Sequence, residues 1–197
     1  MAATDLAICN MALSRLGANL ASSITSPTTK EETQCQAIFD NERDAVLEAH
    51  RWGFAEKIAT LADSGDTPVG WTYAYTMPSD CLAPRLIYNP NETGEESIYT
   101  HDHDRAVRSG KIEFVERIKS DLATRQIWCN LLAAKLIYTA TVTDPNLFNA
   151  MFTDALADKL ASGLAIPLKG SAQLRDTFYQ SYLLKIDHST NAFMGSR

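Results

Sequence analysis

The chain has 197 residues, of which 45% are hydrophobic and 21% are charged, and its formal net charge is −6. This length and composition favour one sizeable core, or a core with a small appendage, and argue against disorder along the whole chain. Lys and Arg are scattered rather than clustered, so the sequence lacks the cationic footprint of a protein that grips duplex DNA.

The sequence has four cysteines, and no two of them form a C-x-x-C pair. They are Cys9, Cys35, Cys81 and Cys129. Their spacing excludes a zinc knuckle or a thioredoxin-type motif and predicts reduced, mostly buried thiols. Residues 1–5 lack a basic region followed by an apolar run, so no signal peptide is predicted. No apolar run approaches the ~20 residues of a membrane span, and we expect synthesis in the cytoplasm.

The first predicted helix spans residues 4–17. Its apolar side chains recur at helical spacing, and Thr4 or Asp5 can accept hydrogen bonds from the free amides of the first turn. Gly17 supplies the stop, because glycine enters the left-handed conformation at little cost.

The second predicted helix begins near Thr28 and ends near residues 52–53. Residues 28–31 fit a capping box, in which a threonine hydroxyl and the Glu31 carboxylate satisfy free backbone amides. The pattern predicts an apolar stripe that consists of Cys35, Ile38, Phe39, Val46 and Ala49.

The pattern changes between about residues 57 and 143, where prolines at 68, 78, 84 and 90 forbid long helices. Trp71, Tyr73 and Tyr75 alternate with small residues, as in a half-buried strand. Further strand-like runs fall at residues 86–88, 97–99, 111–118, 126–128 and 135–142. We predict a small antiparallel sheet inserted between helices, with residues 118–126 as an alternative helix.

Helices return after this insertion. Asp144 and Pro145 form a start signal, and Gly163 and Pro167 are expected to close that helix. Its predicted buried face consists of Leu147, Phe148, Met151, Ala155 and Leu160. Ser171 is expected to open a last helix, and residues 191–197 to form a flexible tail.

The predicted fold class is therefore mainly α. We expect a helical bundle of about four main helices that carries an antiparallel β-sheet or hairpin region. The expected segments are residues 1–56, 57–143, 144–190 and the tail 191–197.

Residue types suited to catalysis are sparse. His101 and His103, with aspartates beside them, could supply half of a zinc or manganese site, but a solvated loop is the simpler interpretation. No nucleophile elbow, phosphate-binding glycine loop or H-E-x-x-H helix is present. Trp71, Tyr73 and Tyr75 could stack nucleic-acid bases, although packing in the core or between subunits fits better without basic neighbours.

The order of several segments resembles phage tail tubular protein A, the head-to-tail adaptor family of podoviruses. The segments that carry the resemblance are residues 8–17 (ICNMALSRLG), 43–47 (RDAVL), 50–55 (HRWGFA), 71–75 (WTYAY), 78–82 (PSDCL), 138–145, 147–148 and 156–167. Many members have Pro and Asn where Arg51 and Gly53 stand here, and residues 89–126 match least.

The resemblance implies a structural, non-enzymatic protein without metal or cofactor. Members form a dodecameric ring between the capsid portal and the tail nozzle, and genomic DNA passes through its channel. The expected location is the virion neck. By the same resemblance, the C-terminal segment is expected to contact the portal protein through Asn191, Phe193, Met194 and Arg197. Trp71, Tyr73 and Tyr75 are expected to pack between subunits.

Three alternatives stay open. The chain could be another neck or tail completion protein of a phage. It could be a metal-dependent hydrolase centred on His101 and His103, or a nucleic-acid-binding module. We further expect the free protein to be monomeric or weakly associated until the portal orders its tail.

Overall fold

The computed structural model describes residues 4–88, 112–119, 121 and 123–195, and the side chains only as far as residue 187. The helices of these residues are α1 (Asp5–Arg15), α2 (Lys30–Ala49), α3 (Ala150–Lys169) and α4 (Ala172–Gly195). The strands are β1 (Glu56–Thr60), β2 (Ala62–Asp63), β3 (Tyr73–Thr76), β4 (Cys81–Tyr88), β5 (Phe114–Ile118), β6 (Arg125–Cys129) and β7 (Lys135–Ala140).

The chain divides into two compact units. Residues 1–55 and 142–197 form one, which we call the helical unit, and residues 56–141 form the other, the sheet unit. The sheet unit is therefore an insertion between α2 and α3. Its first and last strands are antiparallel neighbours, with Glu56 opposite Thr139, so the chain enters and leaves this unit on paired strands.

The sheet unit contains two antiparallel sheets. One has the order β1-β7-β4 and the other has the order β2-β3-β6-β5. Side chains from both sheets bury one shared core, made of Leu61, Tyr75, Met77, Cys81, Ile87, Ile127, Cys129, Ala134, Leu136, Tyr138 and Ala140. Strand β4 accommodates Pro84 because it lies at a sheet edge, where a missing amide breaks no central ladder.

The expected fold class, a helical bundle with a small β insertion, is wrong. The structure is mixed α/β, with 46% helix and 22% strand, four helices and two antiparallel sheets in the described residues. The physical reason is the shared core of the sheet unit. Seven strands that bury an interior of their own form a second unit rather than an appendage of a bundle.

The helical unit places α3 at its centre, packed against α1, α2 and α4. Apolar side chains of α3 are fully buried, among them Phe152, Leu156, Leu160 and Leu164. Phe152 packs edge-on against Trp52 and Phe54, with ring centroids 5.2 Å apart in both pairs. These aromatic contacts join the end of the N-terminal half of this unit to the start of its C-terminal half.

Local signals predicted the first two helices with errors at their ends. Thr4 caps α1, as expected, by accepting from the amide of Ala7 at 3.1 Å. The capping box of α2 is shifted by one residue from the prediction and pairs Thr29 with Glu32, not Thr28 with Glu31. The helix also ends earlier than predicted, at Ala49, whose exposed side chain does not join the buried stripe.

The prediction for α3 was wrong at both ends. Asp144 and Pro145 open a 3-10 turn, and Asn149 caps the α-helix by accepting from Phe152 N at 2.8 Å. Leu147 and Met151 were predicted to lie on the buried face, but both are exposed. Gly163 lies inside the helix, where a Cβ would approach Ile38 of α2 to 3.0 Å, and Gly170 follows the helix end with φ +64°.

Candidate interaction surface

Two loops at one end of the sheet unit are tied together by hydrogen bonds. The first comprises residues 64–72, and the second is the β6–β7 connection, residues 130–134. Asn130 Oδ1 accepts from the amide of Thr72 at 2.9 Å and from its hydroxyl at 3.1 Å. The two loops are therefore held beside each other rather than moving independently.

Each loop contains a residue with positive φ. Residues 68–71 form a turn closed from Trp71 N to Pro68 O, with Gly70 at φ +81° in its third position, as type II turns require. In the other loop Ala133 has φ +56° and is the one non-glycine residue with positive φ in the described chain. An L-residue pays about 1–2 kcal/mol for this conformation, so the surrounding bonds must hold it.

Both turns present apolar side chains to solvent. Val69 is 89% exposed and Leu132 is 65% exposed. Trp71 beside them is partly exposed. We call Val69, Trp71 and Leu132 the apolar tip. Contact with a partner would remove such side chains from water, as it does in the apolar centre of a protein interface.

The three aromatic residues predicted to pack between subunits have different surroundings. Tyr75 is buried in the core of its own unit and donates its hydroxyl to the carbonyl of Leu131 at 2.7 Å. Burial raises the pKa of the Tyr75 phenol. Tyr73 is half-buried against the same core, with its ring 6.1 Å from that of Tyr75. Of the three aromatic residues, Trp71 and the open side of Tyr73 are therefore the ones that stay accessible to solvent.

Sequence reasoning missed Val69 and Leu132. The turn at Pro68 was a local signal for the first loop, but nothing in the sequence set Leu132 apart from the neighbouring Leu131. Leu131 packs against the core, whereas Leu132 points away from it. The positive φ of Ala133 accompanies this difference, and it is a property of the folded hairpin.

The helical unit carries a second set of exposed apolar side chains on α4. They are Tyr179, Leu183 and Leu184. Lys159 of α3 lies over the rings of Tyr179 and Tyr182, at 5.0 and 5.6 Å, and also pairs with Glu42 of α2 at 3.4 Å. This flank of α4 is thus tied to α2 and α3 through one lysine.

Several predicted site residues lie outside the described part of the chain. These are His101 and His103 of the alternative metal site and the side chains of Asn191, Phe193, Met194 and Arg197. Among the residues that the structure does describe, no group of three or more His, Cys, Asp or Glu side chains is placed to hold a metal ion.

The four cysteines are free and buried, as the sequence predicted. Burial raises the pKa of Cys81 to about 11, and it also raises the pKa of Cys129. Thiols with raised pKa values are poor nucleophiles at neutral pH, because the thiolate is the reactive form.

The chain matches no protein-family profile and no curated protein sequence. Within residues 4–88, 112–119, 121 and 123–195, no helix is both long and apolar enough to cross a membrane.

Proposed function

We propose that this chain is a structural adaptor of a bacteriophage neck. Copies of it form a ring that joins the capsid portal to the tail nozzle and surrounds the channel through which DNA leaves. The proposal rests on the order of segments, which resembles that of tail tubular protein A. It assigns the chain no catalytic role, and its location would be the virion.

The structural observation that supports the proposal is the apolar tip. Its Trp71 opens the segment 71–75, one of the segments that resemble the adaptor family. Next to it, Val69 and Leu132 expose apolar surface on loops fixed by the Thr72–Asn130 bonds and two positive-φ residues. A ring subunit needs such a surface, because each copy must bury part of itself against the next.

The net charge of −6 is compatible with a channel wall that DNA passes without adhering. Charge alone does not define a partner. Apolar side chains are a usual material for contacts between copies, and among the described residues of the sheet unit Val69 and Leu132 of the apolar tip are the most exposed large apolar ones.

The test is assembly of the purified chain with and without the portal protein of the same virus. We expect light scattering to show monomer alone and a ring with portal, visible by electron microscopy. Val69→Asp and Leu132→Asp should weaken this assembly at least tenfold. Ile118→Asp is the matched control, because Ile118 is 62% exposed on the same unit but lies outside the apolar tip.

Two results would contradict the proposal. One is a chain that stays monomeric with portal at every concentration. The other is loss of assembly to the same degree in the Ile118 variant, since the apolar tip would then have no specific role. Duplex binding with steep salt dependence, or metal retained through His101 and His103, would instead favour one of the alternative functions.

A further inference from the structure

Few side chains of α4 are fully buried against the rest of the helical unit. Helix α3 buries ten of its residues. Among the described side chains of α4, residues 172–187, Tyr182 is the one that is buried. Fully buried apolar surface, the usual source of helix docking energy, is therefore limited to Tyr182 in this part of α4, with Leu174, Phe178 and Ile186 half-buried.

A charge network connects α4 to α3. Asp158 of α3 is almost fully buried, and its carboxylate accepts from Ser181 Oγ at 2.6 Å and pairs with Lys185 Nζ at 2.6 Å. Lys185 also pairs with Asp154 at 2.5 Å. Burial alone would raise the pKa of Asp154, but Lys185 and Arg15 lower it. We call Asp154, Asp158, Ser181 and Lys185 the α4 latch.

The two carboxylates of the α4 latch, Asp154 and Asp158, lie on α3, and α4 supplies a cation to both through Lys185. Arg15 of α1 contacts both Asp154 and Asp158, so without Lys185 one arginine would face two carboxylates. A buried carboxylate without a full set of partners is costly. This chemistry requires a lysine and a hydroxyl at fixed positions on a helix, but it does not require that helix to come from the same chain.

The connection between α3 and α4 is a two-residue hinge, Gly170 and Ser171. Gly170 has φ +64°, and a Cβ built there would meet nothing within 4 Å. The sharp reversal of the chain thus depends on one left-handed residue. If Gly170 and Ser171 both adopted helical conformation, α3 and α4 would continue as one extended helix, and α4 could no longer reach its own α3. Short hinges of this kind are where subunits exchange elements.

We propose that α4 is exchanged between neighbouring copies when the chain assembles, so that Ser181 and Lys185 of one copy complete the Asp154–Asp158 site of the next. This inference rests on the proposed ring. Exchange from each copy to the next is a head-to-tail contact, which generates a ring where the rotation closes. The free chain keeps α4 on its own α3, as observed, and the partner for the exchanged helix is a second copy of this chain.

Cysteine cross-linking distinguishes exchange of α4 between copies from an arrangement in which α4 stays on the α3 of its own chain. Asp158→Cys is placed in one copy and Ser181→Cys in another, and the two are mixed, assembled and oxidised mildly. We expect a covalent dimer from the mixture, none from either single variant alone, and none from the unmodified chain with its four buried cysteines. The double variant as dilute monomer should cross-link within itself and run as a monomer.

Hinge variants test the same idea with the α4 latch intact, in case Asp158→Cys fails to fold. Gly170→Ala penalises the left-handed turn and should raise the assembled fraction at least fivefold at equal concentration. Gly17→Ala is the matched control, because Gly17 follows α1 with φ +60° and also has open space around it. Inserting Gly-Ser-Gly-Ser after Gly170 should return the Gly170→Ala chain to monomer.

The outcomes distinguish the two proposals. A ring without covalent dimer in the mixture, and without a difference between the two glycine variants, overturns the exchange and leaves the adaptor proposal standing. Absence of any assembled species, with or without portal, overturns both. Covalent dimer in the mixture together with a Gly170-specific rise in assembly supports the exchange.

Discussion

The two units of this chain have interiors of different chemistry. Every buried charged residue of the described chain lies in the helical unit: Glu32, Arg43 and Asp158. The buried polar side chains described in the sheet unit are uncharged, namely Gln126 and Thr139. Apolar burial fixes the sheet unit, whereas the helical unit also depends on charges that organise a loop and hold helices together. The two units should therefore respond differently to substitution and to acid.

Core truncation should produce the largest effects and should separate the units. Phe152→Ala is expected to lower the free energy of unfolding of the helical unit by about 3–5 kcal/mol, because the fully buried ring fills space among other aromatic rings. Ile127→Ala should lower that of the sheet unit by about 2–5 kcal/mol. Hydrogen exchange measured by mass spectrometry reports each unit separately.

The matched control for these truncations is Leu183→Ala, whose side chain is exposed on α4 and whose loss should cost under about 0.5 kcal/mol. If Phe152→Ala accelerates hydrogen exchange equally in residues 56–141, the two units unfold together. Their interiors then do not determine stability separately.

The α4 latch should give the next largest effect. Asp158→Asn keeps the size of the side chain but removes the charge that Arg15, Ser181 and Lys185 contact. Hydrogen bonds to a charged group contribute about 1.5–3 kcal/mol, so we expect a loss of this order in the helical unit, with α4 losing protection first. Asp176→Asn serves as control, because Asp176 is exposed and pairs only with the adjacent Arg175 among the contacts described. Equal effects of the two substitutions would exclude a special role for the latch.

Acid should weaken the helical unit through Glu32. Its carboxylate accepts six hydrogen bonds, from the amides of Ser22, Ser23, Thr28 and Thr29 and the hydroxyls of Ser22 and Thr28. The bonds from Thr28 and Ser22 lower the pKa of Glu32 far below its ordinary value of 4.5. Because the folded pKa is depressed, this stabilisation is complete above pH 4.5 and is lost progressively as the pH falls below it.

The measurement is urea unfolding of the helical unit between pH 7 and pH 3. Glu32→Gln should be less stable than the unmodified chain at pH 7 and should lose less stability on acidification. Glu31→Gln is the control, since Glu31 accepts one bond, from Asn19, at the surface. An unmodified chain whose stability is unchanged from pH 7 to pH 3 would contradict this role of Glu32. Asp66 and Asp80 also have lowered pKa values, through Lys119 and Lys57, so the sheet unit should retain a smaller acid response.

The capping box shows how far local sequence signals reach. Thr28 with Glu31 and Thr29 with Glu32 both fit the same four-residue pattern, and the sequence alone gave no reason to choose the second. Glu32 is selected because its carboxylate also takes the amide and the hydroxyl of Ser22, ten residues earlier. Caps at Thr4 and Ser171 were predictable because their partners lie within one turn.

Strand β1 is an element for which the local sequence carries no signal. Its residues, EKIAT, have neither a clear alternation nor aromatic side chains, so no strand was predicted there. It forms because β7, some 80 residues later in the chain, offers a free edge to pair with. The predicted fold class was wrong for the same reason, because the size of the sheet unit depends on pairing between distant strands. In the candidate site, Trp71 was found from its aromatic pattern, whereas the exposure of Val69 and Leu132 is a tertiary property.

The smallest expected effect concerns the strained turn of the apolar tip. Ala133→Gly removes a Cβ from a residue at φ +56°, and we expect the sheet unit to gain about 0.5–1 kcal/mol, the relief of strain less the added entropy of the unfolded chain. Ala134→Gly, at a fully buried neighbour of ordinary φ, should instead destabilise the unit. Thermal unfolding measures both. If Ala133→Gly also destabilises the sheet unit, the positive φ of Ala133 carries no strain. The shape of this turn would then reflect stability and not a role in interaction.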